Sequence, residues 1–454
     1  MLSSSVMTSS IRLRLSLVLL AAATSIGSPV IRAETEQQAT PQYRVGRWLP
    51  SDQVVLENWL LALSEQARRN NNKKLSPAVN DLKNLIETDP ELYMLFNQMY
   101  TEIPPNKKFL KNPAGGIQPQ NYIQMLQMLN EILTTAPEFN QTGLVGFPIN
   151  AILNWNMGTK AGSVAYLNQS VNRKLKVILK EWSKFLESPR SAYVLNNHPT
   201  NGWFGKNAMA AMPTFVEDFI SDPSKKHYGF QSWDDFFTRQ FRPGRRPVAS
   251  PEDNNIIVNS CESAPYKLAR NVKFSDKFWI KSQPYSLFHI FNNSEIANTF
   301  AGGTVYQAFL SALSYHRWHS PVSGKVLKTY LIDGSYYAAD PKMGFDPASP
   351  NASQGYLPQV ATRGVILIEA DNPKIGIMAA VYIGMSEVSS NEFTVKPGDI
   401  VKKGQQIGMF HFGGSSHLLI FKPDVNLQFD LRGQTPGLET KNILVRSKLA
   451  TVVN

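Results

Sequence analysis

The stretch Gly408-Met409-Phe410-His411-Phe412-Gly413-Gly414-Ser415-Ser416-His417-Leu418-Leu419-Ile420-Phe421 restricts the fold more than any other part of the chain. It sets two glycines and two serines between apolar segments that alternate as strands do. Two strands joined by a turn are therefore expected. Gly-Gly-Ser-Ser also describes an ordinary hairpin turn, because both residue types suit turns for conformational reasons alone. The same arrangement, however, puts a hydroxyl directly after a carbonyl that glycine leaves open to close approach. Given a base to take its proton, a serine held this way can attack the preceding peptide bond and exchange an amide for an ester. If that ester eliminates, Ser415 becomes dehydroalanine, which loses ammonia and leaves a pyruvoyl ketone at a new N-terminus, able to condense with a substrate amine.

A chain of 454 residues with 43% hydrophobic and 18% charged content has room for two or three globular domains. It contains no run of roughly 18 to 20 apolar residues, the length a membrane-crossing helix needs. Arg12 and Arg14 precede the short apolar run Leu15 to Ala23, and small residues lead on to Ile31-Arg32-Ala33. Residues 1–33 thus have the layout of a secretory signal peptide, followed by a polar linker at 34–42. An exported protein is expected, periplasmic or secreted, with a peripheral place at a membrane left open. Removal of Arg12, Arg14 and Arg32 would lower the formal charge from +11 to +8. The basic residues form no aromatic-laced block, so they are taken as solvated surface and nucleic acid is not expected as a partner. Cys261 is the only cysteine, which excludes an intramolecular disulfide as well as zinc-finger and thiol-redox chemistry.

Residues 43–195 carry helical patterning. Val55, Leu56, Trp59, Leu60, Leu63 and Ala67 recur at helical spacing from a Ser51 cap, and Ser76-Pro77 and Asp89-Pro90 are helix starts. Longer helices are predicted through Tyr122 to Leu133 and Leu175 to Leu186. This half shows no reactive cluster, and its Met and Trp residues are expected in the core. From Asn196 the texture changes. Ser232 caps a helix that is expected to run towards Arg242-Pro243-Gly244. Strands are predicted at Gly364 to Glu369, Ile375 to Ile383, Gln406 to Phe412 and His417 to Phe421. The fold class is α+β, an all-helical N-terminal domain followed by a β-rich domain over 196–454.

Of seven histidines, His316, His319, His411 and His417 fall in two short segments of the second half. A metal site is disfavoured, because Pro321 and Gly324 argue against a helix carrying His316 and His319, and no carboxylate lies close to either pair. A histidine acting as the base for Ser415 fits better, since imidazole titrates near neutrality. A carboxylate such as Asp253 could orient it, although by composition Asp253 is one acidic turn residue among many.

These segments occur in the order seen in phosphatidylserine decarboxylases, a family of self-processing pyruvoyl enzymes. Phe236-Phe237-Thr238-Arg239 with Arg242-Pro243-Gly244-Arg245-Arg246-Pro247 resembles the family's entry motif. Ser250-Pro251-Glu252-Asp253 resembles its acidic segment, and Tyr315-His316-Arg317-Trp318-His319-Ser320-Pro321 its histidine motif. Gly413-Gly414-Ser415-Ser416 falls where the family has Leu-Gly-Ser-Thr, with Gly413 replacing Leu, and Asn254 stands where glycine is usual. The N-terminal half resembles the leading domain of the branch that includes fungal L-tryptophan decarboxylases. The similar segments there are Arg44-Val45-Gly46-Arg47-Trp48-Leu49-Pro50, Val145 to Asn150 and Asn154 to Thr159.

The resemblance implies scission between Gly414 and Ser415 by a processing triad of Asp253, His319 and Ser415. His316, Ser416 and His417 are candidate helpers. It also implies a pyruvoyl cofactor made from Ser415, with neither PLP nor a metal. The small C-terminal chain would stay bound to the large one, and a homodimer is left open. The substrate is an amine-bearing carboxylate, either phosphatidylserine or a free amino acid such as tryptophan. The alternative is a non-enzymatic exported binding protein, because Val395 to Gly408 resembles a biotinyl or lipoyl carrier hairpin, though without a Met-Lys pair at its turn.

Overall fold

The computed structural model describes residues 53–103, 118–139, 147–280, 282–311, 313–345, 351–387 and 390–453. The signal-peptide, linker and Ser51-cap expectations and the motif at Arg44 to Pro50 lie outside the described residues.

The helical half begins with α1 (Gln53–Arg69), α2 (Pro77–Thr88), α3 (Pro90–Thr101), α4 (Tyr122–Ile132), α5 (Pro148–Met157), α6 (Lys160–Leu167) and α7 (Gln169–Glu187). Their starts follow from local chemistry. The Ser76 side chain accepts the amide of Val79 with Pro77 in the first turn, and Asp89 accepts those of Glu91 and Leu92 ahead of Pro90. Asn121, Thr159 and Asn168 cap α4, α6 and α7 in the same way. Along α7, Val171, Leu175, Ile178, Leu179, Trp182 and Leu186 form one buried stripe. Helix α5 is buried on every side, so it shows no amphipathic period, and periodicity alone does not find it.

Short helices α8 (Lys206–Ala211), α9 (Phe215–Asp218) and α10 (Trp233–Phe237) lead into the sheet region. Ser232 caps α10 as expected, but the helix stops at Phe237, before Arg242-Pro243-Gly244. The arginines of that motif act as braces. Arg245 pairs with Asp218, and Arg246 bridges Asp218 and Glu262, which ties α9 to the segment before the sheet.

The strands are β1 (Ile256–Val258), β2 (Ala264–Ala269), β3 (Thr304–Leu310), β4 (Arg317–His319), β5 (Gly324–Ile332), β6 (Arg363–Ala370) and β7 (Ile377–Met385). They are followed by β8 (Asn391–Phe393), β9 (Ile400–Val401), β10 (Gln406–Phe410), β11 (Gly414–Phe421), β12 (Leu427–Phe429) and β13 (Lys448–Val452). Seven strands make one antiparallel sheet in the order β2-β3-β11-β7-β6-β5-β9, with two three-stranded sheets beside it, β4-β10-β8 and β1-β13-β12. The two strands of the opening stretch do not form the expected hairpin. Strand β10 belongs to one sheet and β11 to another, so residues 411–413 are a crossing between sheets.

Strand β11 is an interior strand of the large sheet, paired over its whole length with β7 and from Ser415 onward with β3. Every residue of it is buried, because both faces are covered. Leu418 and Ile420 enter the core shared with the helical half, whereas Leu419 and Phe421 enter a second core on the opposite face.

Candidate active site

Ser415 lies inside β11 rather than in a turn, opposite Leu310 of β3 and Gly384 of β7. This corrects the turn expectation, and the reason is that the Ser-Ser-His run is straightened by ladders on both sides and Gly414 by the β7 ladder. Alternation along the strand turns Ser415 and His417 to one face and Ser416 to the other. The Ser415 hydroxyl is fully buried and has no hydrogen-bond partner among the described residues. A buried polar group left unpaired costs stability, so its retention at the head of a central strand calls for a reason other than packing. Immediately upstream, Gly413 has φ of 141°, a conformation that L side chains rarely adopt. The leucine usual in the family motif would be strained there.

His319 ends β4 and is 1% exposed. Its Nδ1 lies 2.8 Å from the carbonyl oxygen of Gly404, which only accepts, so the ring proton sits on Nδ1. The lone pair is then on Nε2, where the Tyr315 hydroxyl donates at 2.9 Å. Arg446 Nε, 2.9 Å from the same Gly404 oxygen, sends its proton to that carbonyl. Burial, helped by the charges of Arg446 and Arg317, pushes the imidazole down to about 3, so it is a neutral base at physiological pH.

The three triad side chains are not in mutual hydrogen-bond contact. The Asp253 carboxylate is exposed and accepts the backbone amide and side-chain amide of Asn255, at 2.9 and 3.1 Å. Its link to His319 runs through the backbone. Lys403 Nζ donates to the carbonyls of Ser250, Asp253 and Ile256, at 2.6, 2.7 and 3.1 Å, and the next residue, Gly404, supplies the acceptor for His319.

The candidate helpers divide. His316 is buried with its ring stacked on Phe237 at 3.9 Å, and burial beside Arg239 holds it far below the usual range. Ser416 accepts Gln307 Nε2 at 3.2 Å on the helical face of the sheet, in a chain that continues from Gln307 to the Tyr285 hydroxyl. His417 shares the face of Ser415. Ser263 gives its own proton to the Cys261 carbonyl at 3.1 Å, so its oxygen accepts from His417 Nε2 at 3.0 Å. That assignment puts the lone pair on His417 Nδ1, which is buried without a partner, and burial pushes this ring down to about 3.

Sequence reading missed other contributors. Phe412, two residues before Gly414, is surrounded by Phe147, Trp182, Trp233 and Phe237, with ring centroids 5.3 to 5.9 Å away. The helical half, which shows no reactive cluster in its sequence, thus reaches the Gly-Ser segment through the packing of Phe147 and Trp182. Glu387, just beyond the strand partner of Gly414, accepts the Asn150 amide at 2.8 Å near the start of α5. Burial raises its carboxyl to about 8. Phe147, Phe237 and Phe412 fall in segments that the sequence singles out, but their convergence, and the approach of Trp182 and Glu387, arise only through the fold. Among the described residues no group of three or more His, Cys, Asp or Glu could hold a metal ion.

The site thus gathers a buried serine behind a glycine carbonyl, two neutral buried imidazoles and a strand fixed on both sides. Family profiles for phosphatidylserine decarboxylase match residues 76–212 and 233–437. The decarboxylase iboD of Amanita muscaria is 38% identical over 66% of this chain and 94% of its own length. The L-tryptophan decarboxylase of Psilocybe cubensis is 33% identical over 88% of this chain and 93% of its own. Phosphatidylserine decarboxylase proenzyme 3 of Schizosaccharomyces pombe is 31% identical over 47% of this chain and 21% of its own. The chain belongs to the phosphatidylserine decarboxylase family. It is a decarboxylase, a carboxy-lyase, and the non-enzymatic binding protein is not supported. No described helix is long and apolar enough to cross a membrane.

Proposed function

We propose that the chain cuts itself between Gly414 and Ser415 and then decarboxylates a free aromatic L-amino acid such as tryptophan. The observation that carries the self-cleavage is the buried, unpartnered hydroxyl of Ser415 directly behind two glycines, the first at φ of 141°. Ser415 Oγ attacks the Gly414 carbonyl carbon, the C–N bond breaks, and the hydroxyl proton ends on the freed amine. Loss of the Ser415 Cα proton with rupture of the Cβ–O bond then expels the Gly414 carboxylate. Water replaces ammonia on the resulting dehydroalanine, leaving a pyruvoyl group at residue 415.

The side-chain position of Ser415 suits that group, since its oxygen is buried and has no hydrogen-bond partner among the described residues. Once formed, a pyruvoyl ketone supplies an electron sink for the carbanion left when carbon dioxide departs. The chain's own residues do the rest. His319 is the proposed base, with its proton fixed on Nδ1 by Gly404 and its lone pair on Nε2, which Tyr315 must release. Asp253 is proposed to position it through Lys403 and Gly404. A second reading makes His417 the proton acceptor, because its open Nδ1 shares the face of Ser415. Glutamine at each position separates the two readings, as only loss of the true base stops release of residues 415–454.

The free amino acid is favoured because the Psilocybe relative named for tryptophan spans most of this chain, including its helical half, whereas the proenzyme named for the lipid matches 47%. Export, through the signal at residues 1–33, belongs to the same proposal. Carbon dioxide release is to be measured from L-tryptophan, other aromatic amino acids and phosphatidylserine vesicles. Release from tryptophan supports the reading, and release from the vesicles alone overturns its substrate.

A further inference from the structure

The crossing between β10 and β11 holds a charged arrangement that the proposed mechanism does not use. His411, three residues before Gly414, has Nδ1 3.0 Å from both carboxylate oxygens of Asp234 in α10 and Nε2 2.9 Å from a carboxylate oxygen of Glu392 in β8. Both ring nitrogens face acceptors, so both carry protons and the ring is a cation. The surroundings agree. Burial works against the charge, but Asp234 and Glu392 outweigh it and hold the imidazole at about 9.

The location gives the clamp a task. From Ser415 onward the backbone is fixed by β3 on one side and β7 on the other. Upstream, Gly414 is paired with β7 alone and Gly413 precedes both ladders, and neither has a side chain to define its geometry. Attack on the Gly414 carbonyl needs that carbonyl held at one angle to the hydroxyl, and a misplacement of about 1 Å can cost about a hundredfold in rate. Phe412 is held by its ring contacts, which resist withdrawal but leave some freedom to slide. His411 supplies directed bonds to two separate elements. We propose that His411, clamped between Asp234 and Glu392, is a positioning residue that fixes the Gly413-Gly414 backbone for attack by Ser415.

The inference rests on the self-cleavage reading, and one experiment distinguishes the failure of each. Full-length wild type, His411→Gln, His411→Arg and Glu392→Gln are made by cell-free translation, and release of residues 415–454 is followed against time. Thermal melts check folding, and carbon dioxide release is normalised to the amount of processed chain. Glutamine can bond one carboxylate but not hold both, so scission should slow by about tenfold or more. Arginine, a cation with a two-pronged donor, should recover most of that loss. Turnover per processed chain should stay near wild type, because the clamp acts before scission; a merely structural role would lower turnover and melting temperature together and gain nothing from arginine. Should His411→Gln fail to fold, Glu392→Gln decides, since that carboxylate is half exposed and its loss should still slow scission severalfold. A wild-type chain that stays whole overturns the self-cleavage reading and the clamp with it. A wild type that cleaves, with folded clamp variants keeping pace within about twofold, overturns the clamp alone.

Discussion

In the proposed mechanism Tyr315 stands between a base and its task. Its hydroxyl occupies the only lone pair of His319, so Tyr315→Phe should free Nε2 at a cost in stability of about 1 kcal/mol, the usual worth of one hydrogen bond. Scission should proceed at least as fast as in wild type. Abolished scission would show instead that the phenol carries the proton. At this scale the sequence names candidates. Ser415 stands out because a hydroxyl behind two glycines is a chemical pattern, and His319 because its segment resembles the family's histidine motif. The tautomer of His319 was not legible, since it is set by Gly404, 85 residues away. Nor was the separation of Asp253 from the imidazole, which depends on how Lys403 gathers three carbonyls.

Among the elements, β11 and the crossing before it decide whether the serine is presented correctly. Gly413→Leu restores the residue usual in the family but forces it to φ of 141°. It should cost about 1 to 3 kcal/mol or shift the crossing, and scission measured on the full-length chain should slow. Unchanged scission and melting temperature would mean that this backbone has an easy alternative conformation. The strands were legible because their apolar runs are long. The break between β10 and β11 was misread as a hairpin, because sequence shows the turn residues but not which neighbours each strand finds. Helix α5 escaped for the opposite reason, being so deeply buried that its polar face is missing.

Across the whole molecule, protonation ties stability to pH. His319 and His417 are held near 3, and His316 also well below 6.5, so all three stay neutral in the fold and become charged below about pH 6.5 in the unfolded chain. Unfolding then takes up protons, and stability falls as pH drops. Glu387, near 8 when folded against an ordinary 4.5, opposes this between those values, but it is one group against three. Above pH 6.5 the sign reverses, since the folded chain keeps protons on Glu387 up to about 8 and on His411 up to about 9 that the unfolded chain has lost. Stability should therefore peak near pH 6.5, with each uncompensated proton worth about 1.4 kcal/mol per pH unit. Urea midpoints at pH 5, 6.5 and 8.5 check this, and a midpoint rising steadily from 5 to 8.5 would contradict it.

The central claim is that a hydroxyl in the middle of a sheet severs its own backbone and leaves a ketone behind, and intact-mass measurement of the purified protein tests it most directly. The expected result is two chains, one ending at Gly414 and the other beginning with a pyruvoyl group in place of Ser415, with Ser415→Ala remaining whole and releasing no carbon dioxide. A single wild-type chain that carries an unmodified serine at position 415 and still decarboxylates its substrate would contradict it.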